Sequence, residues 1–191
     1  MLPQLYLASR SPRRSQLLAQ LKLRFELVDG EIDERAEPGQ SPEDYVLAMA
    51  RGKAAAGARN AGAGLPVLGA DTEVVVDGEI LGKPTSREHG LAMLKRLADR
   101  EHVVYSAVTV RQGERAETAL SKTSVRFGSI SDEVANAYWT SGEPEGKAGA
   151  YAIQGLGAVF VKEIRGSYSG VMGLPLFETA ELLARFGVRA W

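Results

Sequence analysis

The order of predicted strands and helices in this chain indicates a mixed α/β fold. An apolar run at 5–8 leads through a short polar turn into a helix start, where Ser11 fits the N-cap and Pro12 the first helical position. Two long β-rich runs, 102–111 and 117–127, predict a hairpin. The last segment, 175–186, has the pattern of an amphipathic helix. Strands and helices therefore both contribute to the expected core.

Composition limits the classes of protein to which the chain can belong. Its 191 residues are 45% hydrophobic and 25% charged, which is typical of one globular domain, here 1–191. The formal net charge of −1 gives no basic field for nucleic acid. Cysteine is absent and there are two histidines, which argues against disulfides, thiolate catalysis and a histidine-rich zinc site. Without a membrane-length apolar stretch or a signal-peptide pattern, we expect a cytoplasmic protein with no membrane partner.

Three arginines stand at the first helix start. Arg10 precedes the helix, and Arg13 and Arg14 fall in its first turn. Because the amino end of a helix carries partial positive charge, each cation there costs about 0.3–1 kcal/mol. A bound phosphate would remove this cost, held by backbone N–H groups, by guanidinium groups and by the hydroxyls of Ser9 and Ser11. The alternative is a solvated basic turn that acidic neighbours neutralise.

The acidic segment 29–40, which follows the second predicted strand (25–28), is predicted to be a loop. Its carboxylates belong to Asp29, Glu31, Asp33, Glu34 and Glu37. Such a charge run is usually a solvated surface. The alternative is that it supplies one or two carboxylates to a hard metal ion.

The next helix is predicted to begin at Ser41 and Pro42, and the glycine- and alanine-rich stretch 57–64 is predicted to be a turn region. Lys53 stands among alanines within the helix. A lysine in this setting is usually a solvated surface residue. Its small neighbours would equally allow a ligand or a second layer to approach closely.

A buried strand at 66–70 is expected to end abruptly at Asp71 and Thr72, followed by a hairpin with arms 73–76 and 79–81. No helix follows Asp71, so an N-cap role does not explain it. Ligands of open α/β sheets bind beyond the carboxyl ends of strands. Asp71 is therefore the first choice for a metal ligand or general base. Lys83 precedes a proline, which favours an extended loop position.

The remaining elements are a capping box at 85–88 that opens a helix, a helix after Ser131, a strand at 158–164 and a loop at 166–170. His89 and His102 are expected at the surface or a sheet edge.

A glycine-rich loop is predicted over 142–157, and it contains Gln154. The amide of Gln154 offers both a donor and an acceptor, which suits it to reading the edge of a nucleotide base. The alternative is a turn amide that satisfies backbone groups.

Several short motifs together resemble the Maf family, historically called septum-formation proteins. They occur in the same order over nearly the whole chain, at 8–14, 34, 50–54, 69–72, 82–84, 147–151, 153–155 and 173–175. The resemblance implies a pyrophosphatase that converts a nucleoside triphosphate to the monophosphate and pyrophosphate with Mg²⁺ or Mn²⁺. It also implies an inosine-triphosphatase-like fold, with two lobes, a mixed twisted sheet flanked by helices, and a central cleft.

Individual positions resemble the dTTP/UTP branch of the family. The branch that acts on 7-methyl-GTP usually has Trp in place of Arg13 and Glu in place of Gln154. The resemblance implies that Arg13, Thr72 and Gln154 set base specificity and that Asp71 is the proton acceptor. Arg10 is a departure, because a small residue is usual there; it leaves the phosphate turn intact but could alter affinity.

The residues and the resemblance lead to one expected site. Glu34 and Asp71 would hold the divalent cation. Phosphate charge would be stabilised by Arg14, Lys53 and Lys83, and the phosphate chain would be held by Ser9 and Ser11. The alternative function is a nucleotide-binding regulator of septum formation with incidental hydrolysis. The expected partner is a nucleoside triphosphate rather than nucleic acid, with a homodimer left open.

Overall fold

The structure is a computed structural model that describes residues 2–62 and 64–190. The strands are β1 (Leu5–Ala8), β2 (Phe25–Leu27), β3 (Val67–Val76), β4 (Glu79–Ile80), β5 (Glu101–Gln112), β6 (Arg115–Phe127) and β7 (Val161–Arg165). The α-helices are α1 (Pro12–Gln20), α2 (Pro42–Asn60), α3 (Arg87–Leu97), α4 (Asp132–Thr140), α5 (Tyr168–Met172) and α6 (Leu176–Arg185). Short 3₁₀ turns cover Ala148–Ala150 and Leu156–Phe160.

All of these strands belong to one mixed sheet. Its order is β2-β1-β3-β5-β6-β7, with β4 paired to β3 outside this path. β1 runs parallel to β2 and β3, and the other pairs are antiparallel. Helices α2 and α6 pack against the sheet. The predicted mixed α/β class, with a mixed sheet flanked by helices, is therefore confirmed. None of the helices described has the length and apolarity that a membrane span requires.

Two large hydrophobic cores share this sheet, and a smaller cluster of Val46, Ala50 and Ala107 lies between α2 and β5. Core one joins α1 and α6 to the first half of β3, and its buried members include Leu5, Leu7, Leu17, Leu18, Leu68, Val108, Val110 and Leu183. Core two joins α3 and α4 to the second half of β3, and its buried members include Val74, Val76, Leu94, Leu97, Val104, Phe127, Tyr138 and Tyr151. Strands β3 and β5 contribute side chains to both cores, so the two cores are joined through continuous backbone.

β3 is one continuous strand, which corrects the predicted break at Asp71 and Thr72. On one edge it pairs with β5 from Val67 to Val75, and this pairing keeps the polar residues extended. On the other edge, pairing with β1 stops at Gly69, and pairing with β4 begins at Val75. The strand therefore has an open edge between these two positions, and the polar residues lie there.

Helix α2 lies unusually close to β3. A Cβ atom placed on Gly69 would be 2.3 Å from the Ala54 nitrogen and 2.7 Å from the Ala50 oxygen. Contacts below 3.0 Å are essentially never seen for real Cβ atoms, so only glycine fits here without displacing the helix. The alanines around Lys53 thus serve the close approach of a second layer, which was one of the two interpretations of that stretch.

Four local predictions differ from the structure. α2 continues to Asn60, so the turn region begins later than 57. The N-cap of α3 is Ser86, whose Oγ accepts a hydrogen bond from the His89 backbone N–H. The strand predicted at 158–164 begins only at Val161, after a 3₁₀ turn, and the loop predicted at 166–170 includes the start of α5.

His102 is buried in core two, which corrects its predicted place at the surface or an edge. Its side chain packs edge-on against Phe127 and Tyr151. The Nε2 atom lies 2.9 Å from the Tyr151 hydroxyl. Burial lowers the pKa of His102 to about 4, so the ring is neutral at physiological pH.

Candidate active site

A cleft of about 800 Å³ opens at the open edge of β3. Its walls come from the carboxyl end of β1, the start of α1, the 30–34 segment, β3 itself, and the segments 146–154 and 171–173. The predicted central cleft is therefore present. It is lined by every residue that the sequence nominated for the site: Ser9, Ser11, Arg13, Arg14, Glu34, Lys53, Asp71, Thr72, Lys83 and Gln154.

Lys53 joins the two carboxylates that were predicted to hold a metal. Its Nζ atom is 2.6 Å from Asp71 Oδ1 and 2.6 Å from Glu34 Oε1. Burial alone would raise the pKa of Glu34. The hydrogen bond and charge of Lys53, with the charges of Lys83 and Arg14, outweigh burial and hold that pKa below its usual value. Glu34 therefore stays ionised above the floor of the cleft.

β3 places Asp71 and Glu73 on the same face, because alternate residues of a strand point the same way. The Asp71 side chain is 8% exposed, and its Oδ2 atom has no hydrogen-bond partner among the described residues. The same holds for Glu73 Oε2. Burial, followed by the charge of Asp71, raises the pKa of Glu73 to about 8. Two carboxyl oxygens thus lie in the cleft wall without a protein donor.

The donor set suits a divalent cation that is shared with a ligand. In the described part of the chain, no group of three or more His, Cys, Asp or Glu side chains is arranged to hold a metal by itself. Mg²⁺ usually binds through one or two carboxylates, water and substrate phosphates. Asp71 Oδ2 is unpartnered, and Glu34 Oε2 has only Lys83 Nζ near it, at 3.9 Å. These oxygens fit such a cation, but they do not form a site closed by protein alone.

The arginine turn has an unbalanced positive charge at the cleft. Among the ion pairs of the described residues, none involves Arg13 or Arg14. Burial lowers the pKa of Arg14 and the acidic groups nearby raise it, with burial the larger effect. Arg10 differs, since its Nη2 atom lies 2.7 Å from Glu31 Oε2 and 3.4 Å from Asp29 Oδ1. Neutralisation by ion pairs with acidic neighbours therefore applies to Arg10, whereas Arg13 and Arg14 make no ion pair with the described residues.

A hydrogen-bond network connects the arginine turn to β3. Arg14 Nε donates to the Gly173 carbonyl at 2.8 Å, and Thr72 Oγ1 lies 3.3 Å from the same oxygen. Thr72 also hydrogen-bonds with Ser106 Oγ at 3.0 Å. Ser9 Oγ accepts from the Ser11 backbone N–H at 3.2 Å, and the Ser11 side chain, at the N-cap of α1, makes no cap hydrogen bond. The network fixes the polar floor of the cleft on the face opposite Asp71.

Two predicted residues have exposed side chains at the mouth of the cleft. Gln154 is exposed, and none of the hydrogen bonds among the described residues involves its amide. The alternative role as a turn amide is therefore not seen. The Lys83 side chain is 66% exposed and approaches Glu34 only loosely. Both side chains are free to contact a ligand that enters the cleft.

Sequence reasoning missed Glu73 and Lys147 as cleft residues, and it missed Ser106 as the buried partner of Thr72. Glu73 would have been found from the period-two rule if β3 had been recognised as one strand. Ser106 is opposite Thr72 in the β3–β5 register, a pairing that the sequence alone does not define. Lys147 lines the cleft, and burial, followed by the charge of Arg13, lowers its pKa.

The order of motifs and the cleft agree with a known family. The family model described as Maf-like protein matches residues 4–186. The chain belongs to the Maf family. All ten nominated residues fall within the matched segment, so the resemblance noted in the sequence is confirmed as membership.

Named relatives match the Maf chain over nearly its full length. A dTTP/UTP pyrophosphatase from Methylobacillus flagellatus is 51% identical over 96% of this chain and 93% of that protein. One from Methylococcus capsulatus is 52% identical over 96% and 91%, and one from Escherichia coli O157:H7 is 49% identical over 95% and 92%. A crystal structure of a nucleoside-triphosphatase / dITP/XTP pyrophosphatase from Mycobacterium abscessus aligns with a TM-score of 0.45 at 20% identity, over 95% of this chain and 94% of that chain.

Proposed function

We propose that this Maf-family protein hydrolyses dTTP and UTP to the nucleoside monophosphate and pyrophosphate. The proposal depends on the environment of Asp71. This buried carboxylate pairs with Lys53 through one oxygen, has no hydrogen-bond partner among the described residues at the other, and lines a cleft that also contains arginines without ion pairs. Relatives that share about half of its residues bear the name dTTP/UTP pyrophosphatase, which supports the choice of substrates.

The triphosphate chain would bind at the arginine turn. Arg13 and Arg14 supply guanidinium donors, and the start of α1 supplies backbone N–H groups with the positive end of the helix dipole. The Ser9 and Ser11 hydroxyls lie beside them in the cleft. Lys83 can move from Glu34 to a phosphate because its side chain is exposed. These groups together would balance the charge of the substrate.

The reaction would be attack of water on the α-phosphorus. A new oxygen–phosphorus bond forms, the bond from the α-phosphorus to the bridging oxygen breaks, and pyrophosphate leaves with that oxygen. Asp71 would accept the proton of the attacking water at Oδ2, the oxygen that Lys53 leaves free. Glu34 would hold Mg²⁺ or Mn²⁺ directly and Asp71 would hold it through the attacking water, which leaves Oδ2 available for the proton; the cation would supply positive charge against the phosphate oxygens. Lys53 would balance part of the negative charge of both carboxylates.

Base recognition would take place at the mouth of the cleft. The Gln154 amide makes no hydrogen bond within the part of the chain that the structure describes, so its donor and acceptor would both be available to a pyrimidine edge. Arg13 and Thr72 would complete this recognition. Thr72 is the most constrained of the three, since its hydroxyl is already bonded to Ser106 and Gly173.

The first experiment measures pyrophosphate release from a panel of nucleoside triphosphates with Mg²⁺, Mn²⁺ or EDTA. We expect metal-dependent hydrolysis of dTTP and UTP and little hydrolysis of purine triphosphates. Asp71→Asn should lower kcat by about 100-fold to 10,000-fold, the usual contribution of a general base. Asp77→Asn makes the same chemical change on an exposed turn outside the cleft and should leave kcat unchanged.

Two results would contradict this proposal. One is a folded Asp71→Asn protein with near-normal turnover, which would remove Asp71 as the base. The other is a wild-type protein that binds dTTP but releases no pyrophosphate with any metal, which would favour the regulator. Melting curves of each variant with and without dTTP separate lost chemistry from lost folding.

A further inference from the structure

Glu143 lies directly beneath the turn that carries Gln154. Its Oε2 atom accepts a hydrogen bond from the Leu156 backbone N–H at 2.9 Å, and its Oε1 atom accepts one from the Gly157 N–H at 2.9 Å. Glu143 itself does not line the cleft. Glu143 follows Gly142, which comes just after the end of α4. Its carboxylate therefore anchors the far side of the turn to the end of this helix.

Tyr138 holds the near side of the same turn. Its hydroxyl donates to Glu143 Oε1 at 2.8 Å and accepts from the Ala152 backbone N–H at 3.1 Å. The Tyr138 ring is buried in core two and packs edge-on against Phe160, with 5.0 Å between ring centroids. One tyrosine–glutamate pair therefore binds the backbone on both sides of Gln154.

The two glycines of the turn lie in close contact with the Tyr138–Glu143 pair. A Cβ atom on Gly155 would lie 2.0 Å from Glu143 Oε2, and one on Gly157 would lie 2.7 Å from the Tyr138 hydroxyl oxygen. The turn has the sequence Gln154-Gly155-Leu156-Gly157. Its two glycines allow the chain to reverse direction, and they also leave space for Tyr138 and Glu143 directly beneath. Close contact at both glycines sets the distance between this turn and the end of α4.

The hydrogen bonds that the Glu143 carboxylate accepts are charge-assisted. Burial alone would raise the pKa of Glu143. The backbone hydrogen bonds from Gly157 and Leu156, the Tyr138 hydroxyl and the charge of Lys147 outweigh burial and hold the pKa below its usual value. An ionised carboxylate makes stronger hydrogen bonds to N–H groups than a neutral acceptor does. Among the described residues no hydrogen bond involves the Gln154 side chain, so the starting point of this side chain is set by the backbone that the pair supports.

We propose that Tyr138 and Glu143 form a positioning pair that fixes the backbone at Gln154 and thereby sets discrimination between thymine or uracil and cytosine. This inference rests on the proposed role of Gln154 in base recognition. Thymine and uracil present a carbonyl oxygen and a ring N–H where cytosine presents an amino group and a ring nitrogen. A glutamine amide can complement either pattern if it is free to turn or shift. Holding the backbone on both sides of Gln154 limits the positions from which its amide can reach the base, so the pair favours the thymine and uracil pattern over that of cytosine.

The test compares dTTP and dCTP hydrolysis by the wild type, Glu143→Gln and Tyr138→Phe. Each variant should raise KM for dTTP and lower the ratio of kcat/KM for dTTP to that for dCTP, by about tenfold, while kcat for dTTP stays within about twofold, because misplacement alters binding of the base and not attack at phosphorus. Glu133→Gln is the matched control, since Glu133 is exposed in the first turn of α4. It should behave as the wild type.

A double-mutant comparison separates positioning from general stability. In a Gln154→Ala background, Glu143→Gln should cause no further loss of selectivity, because the side chain that it positions is gone. An equal fall in dTTP and dCTP hydrolysis, or selectivity that falls further in the Gln154→Ala background, would overturn the inference. So would variants that keep wild-type selectivity.

The same measurements distinguish the inference from the proposed function. A wild-type protein that cleaves neither dTTP nor dCTP overturns the proposed function, and the inference falls with it. A wild type that prefers dTTP, accompanied by Glu143→Gln and Tyr138→Phe variants with the same preference, overturns the inference alone.

Discussion

At the scale of single residues, Lys53 determines the charge balance of the cleft. It is 12% exposed and contacts both Asp71 and Glu34, so one ammonium group offsets two carboxylates. A site with this excess of negative charge attracts a further cation, and Arg14, Lys83 or a bound divalent metal can provide it. In this arrangement Lys53 pairs with one oxygen of Asp71 and leaves the other without a partner among the described residues.

His102 gives a residue-scale prediction about pH. Its pKa is about 4 in the folded protein, against an ordinary value near 6.5 when unfolded. Because the unfolded chain binds the proton more tightly, this histidine favours unfolding as pH falls from about 6.5 towards about 4. We expect wild type to lose about 2–3 kcal/mol of unfolding free energy from this group between about pH 7.5 and pH 4.5.

Urea unfolding at the two pH values measures this loss. Carboxylates also titrate in this range, so the observable is the difference between wild type and His102→Gln. The variant should lose less stability on acidification than wild type does. His89→Gln is the control, because His89 is exposed in the first turn of α3. Equal acid sensitivity of wild type and His102→Gln would contradict the prediction.

At the scale of secondary-structure elements, β3 and α2 together build the catalytic wall. β3 presents Asp71 and Glu73 on one face and Thr72 on the other, and α2 presents Lys53 to the first of these faces. The distance between the two elements is set by Gly69 against Ala54. The contact that packs the helix therefore also sets the reach of Lys53.

Substitution of Gly69 by Ala should disturb folding and catalysis together. The added methyl group would overlap the α2 backbone, which cannot rotate away as a side chain can. We expect a loss of about 1–3 kcal/mol in unfolding free energy, typical of overpacking, together with reduced kcat as Lys53 shifts. Gly128→Ala is the control, since its nearest atom is the flexible Lys162 side chain at 3.4 Å. Urea unfolding and pyrophosphate release measure the two effects, and a Gly69→Ala protein equal to the control would refute the argument.

Elements with strong local signals were predictable from the sequence. The Ser41 cap, followed by Pro42, predicted the start of α2, and the Asp77-Gly78 pair predicted the β3–β4 turn. β3 was divided wrongly because Asp71 and Thr72 interrupt an apolar run, and only pairing with β5 keeps them extended. α5 and the 3₁₀ turn at Leu156–Phe160 depend on tertiary contacts, which no local pattern records.

The site was more predictable than the loops around it. Each nominated residue belongs to a motif with its own chemical signal, such as the arginines at a helix start, and all ten line the cleft. His102 was misplaced because burial of a neutral ring in core two leaves no mark in the sequence. Glu143 was passed over because its role depends on a fold that brings it beneath Leu156 and Gly157.

At the scale of the whole molecule, one sheet supports two cores with the cleft between them. β3 and β5 pass from core one to core two without interruption. If either core unfolded alone, these strands would lose packing on half of their length and the pairing there would be exposed to water. Shared strands thus favour unfolding as one unit, which is the behaviour expected of the predicted single domain with two lobes.

A matched pair of core substitutions tests this cooperativity. Leu18 lies in core one and Leu94 in core two, and both are fully buried. Leu18→Ala and Leu94→Ala should each lower the unfolding free energy by about 2–5 kcal/mol. Trp139 packs against Gly90 of α3, beside core two, so its fluorescence in a Trp191→Phe background reports on that half of the molecule.

The decisive variant is Leu18→Ala, which lies in the core that Trp139 does not contact. If the sheet couples the cores, this substitution moves the unfolding midpoint seen by Trp139 fluorescence to a lower urea concentration. The midpoint measured by far-ultraviolet circular dichroism then moves to the same concentration. Independent lobes would leave the Trp139 transition at its original midpoint and divide the circular dichroism curve into two steps. Coincident transitions in both variants therefore mean that the cleft is framed by one cooperative unit, so its walls cannot unfold separately around the substrate.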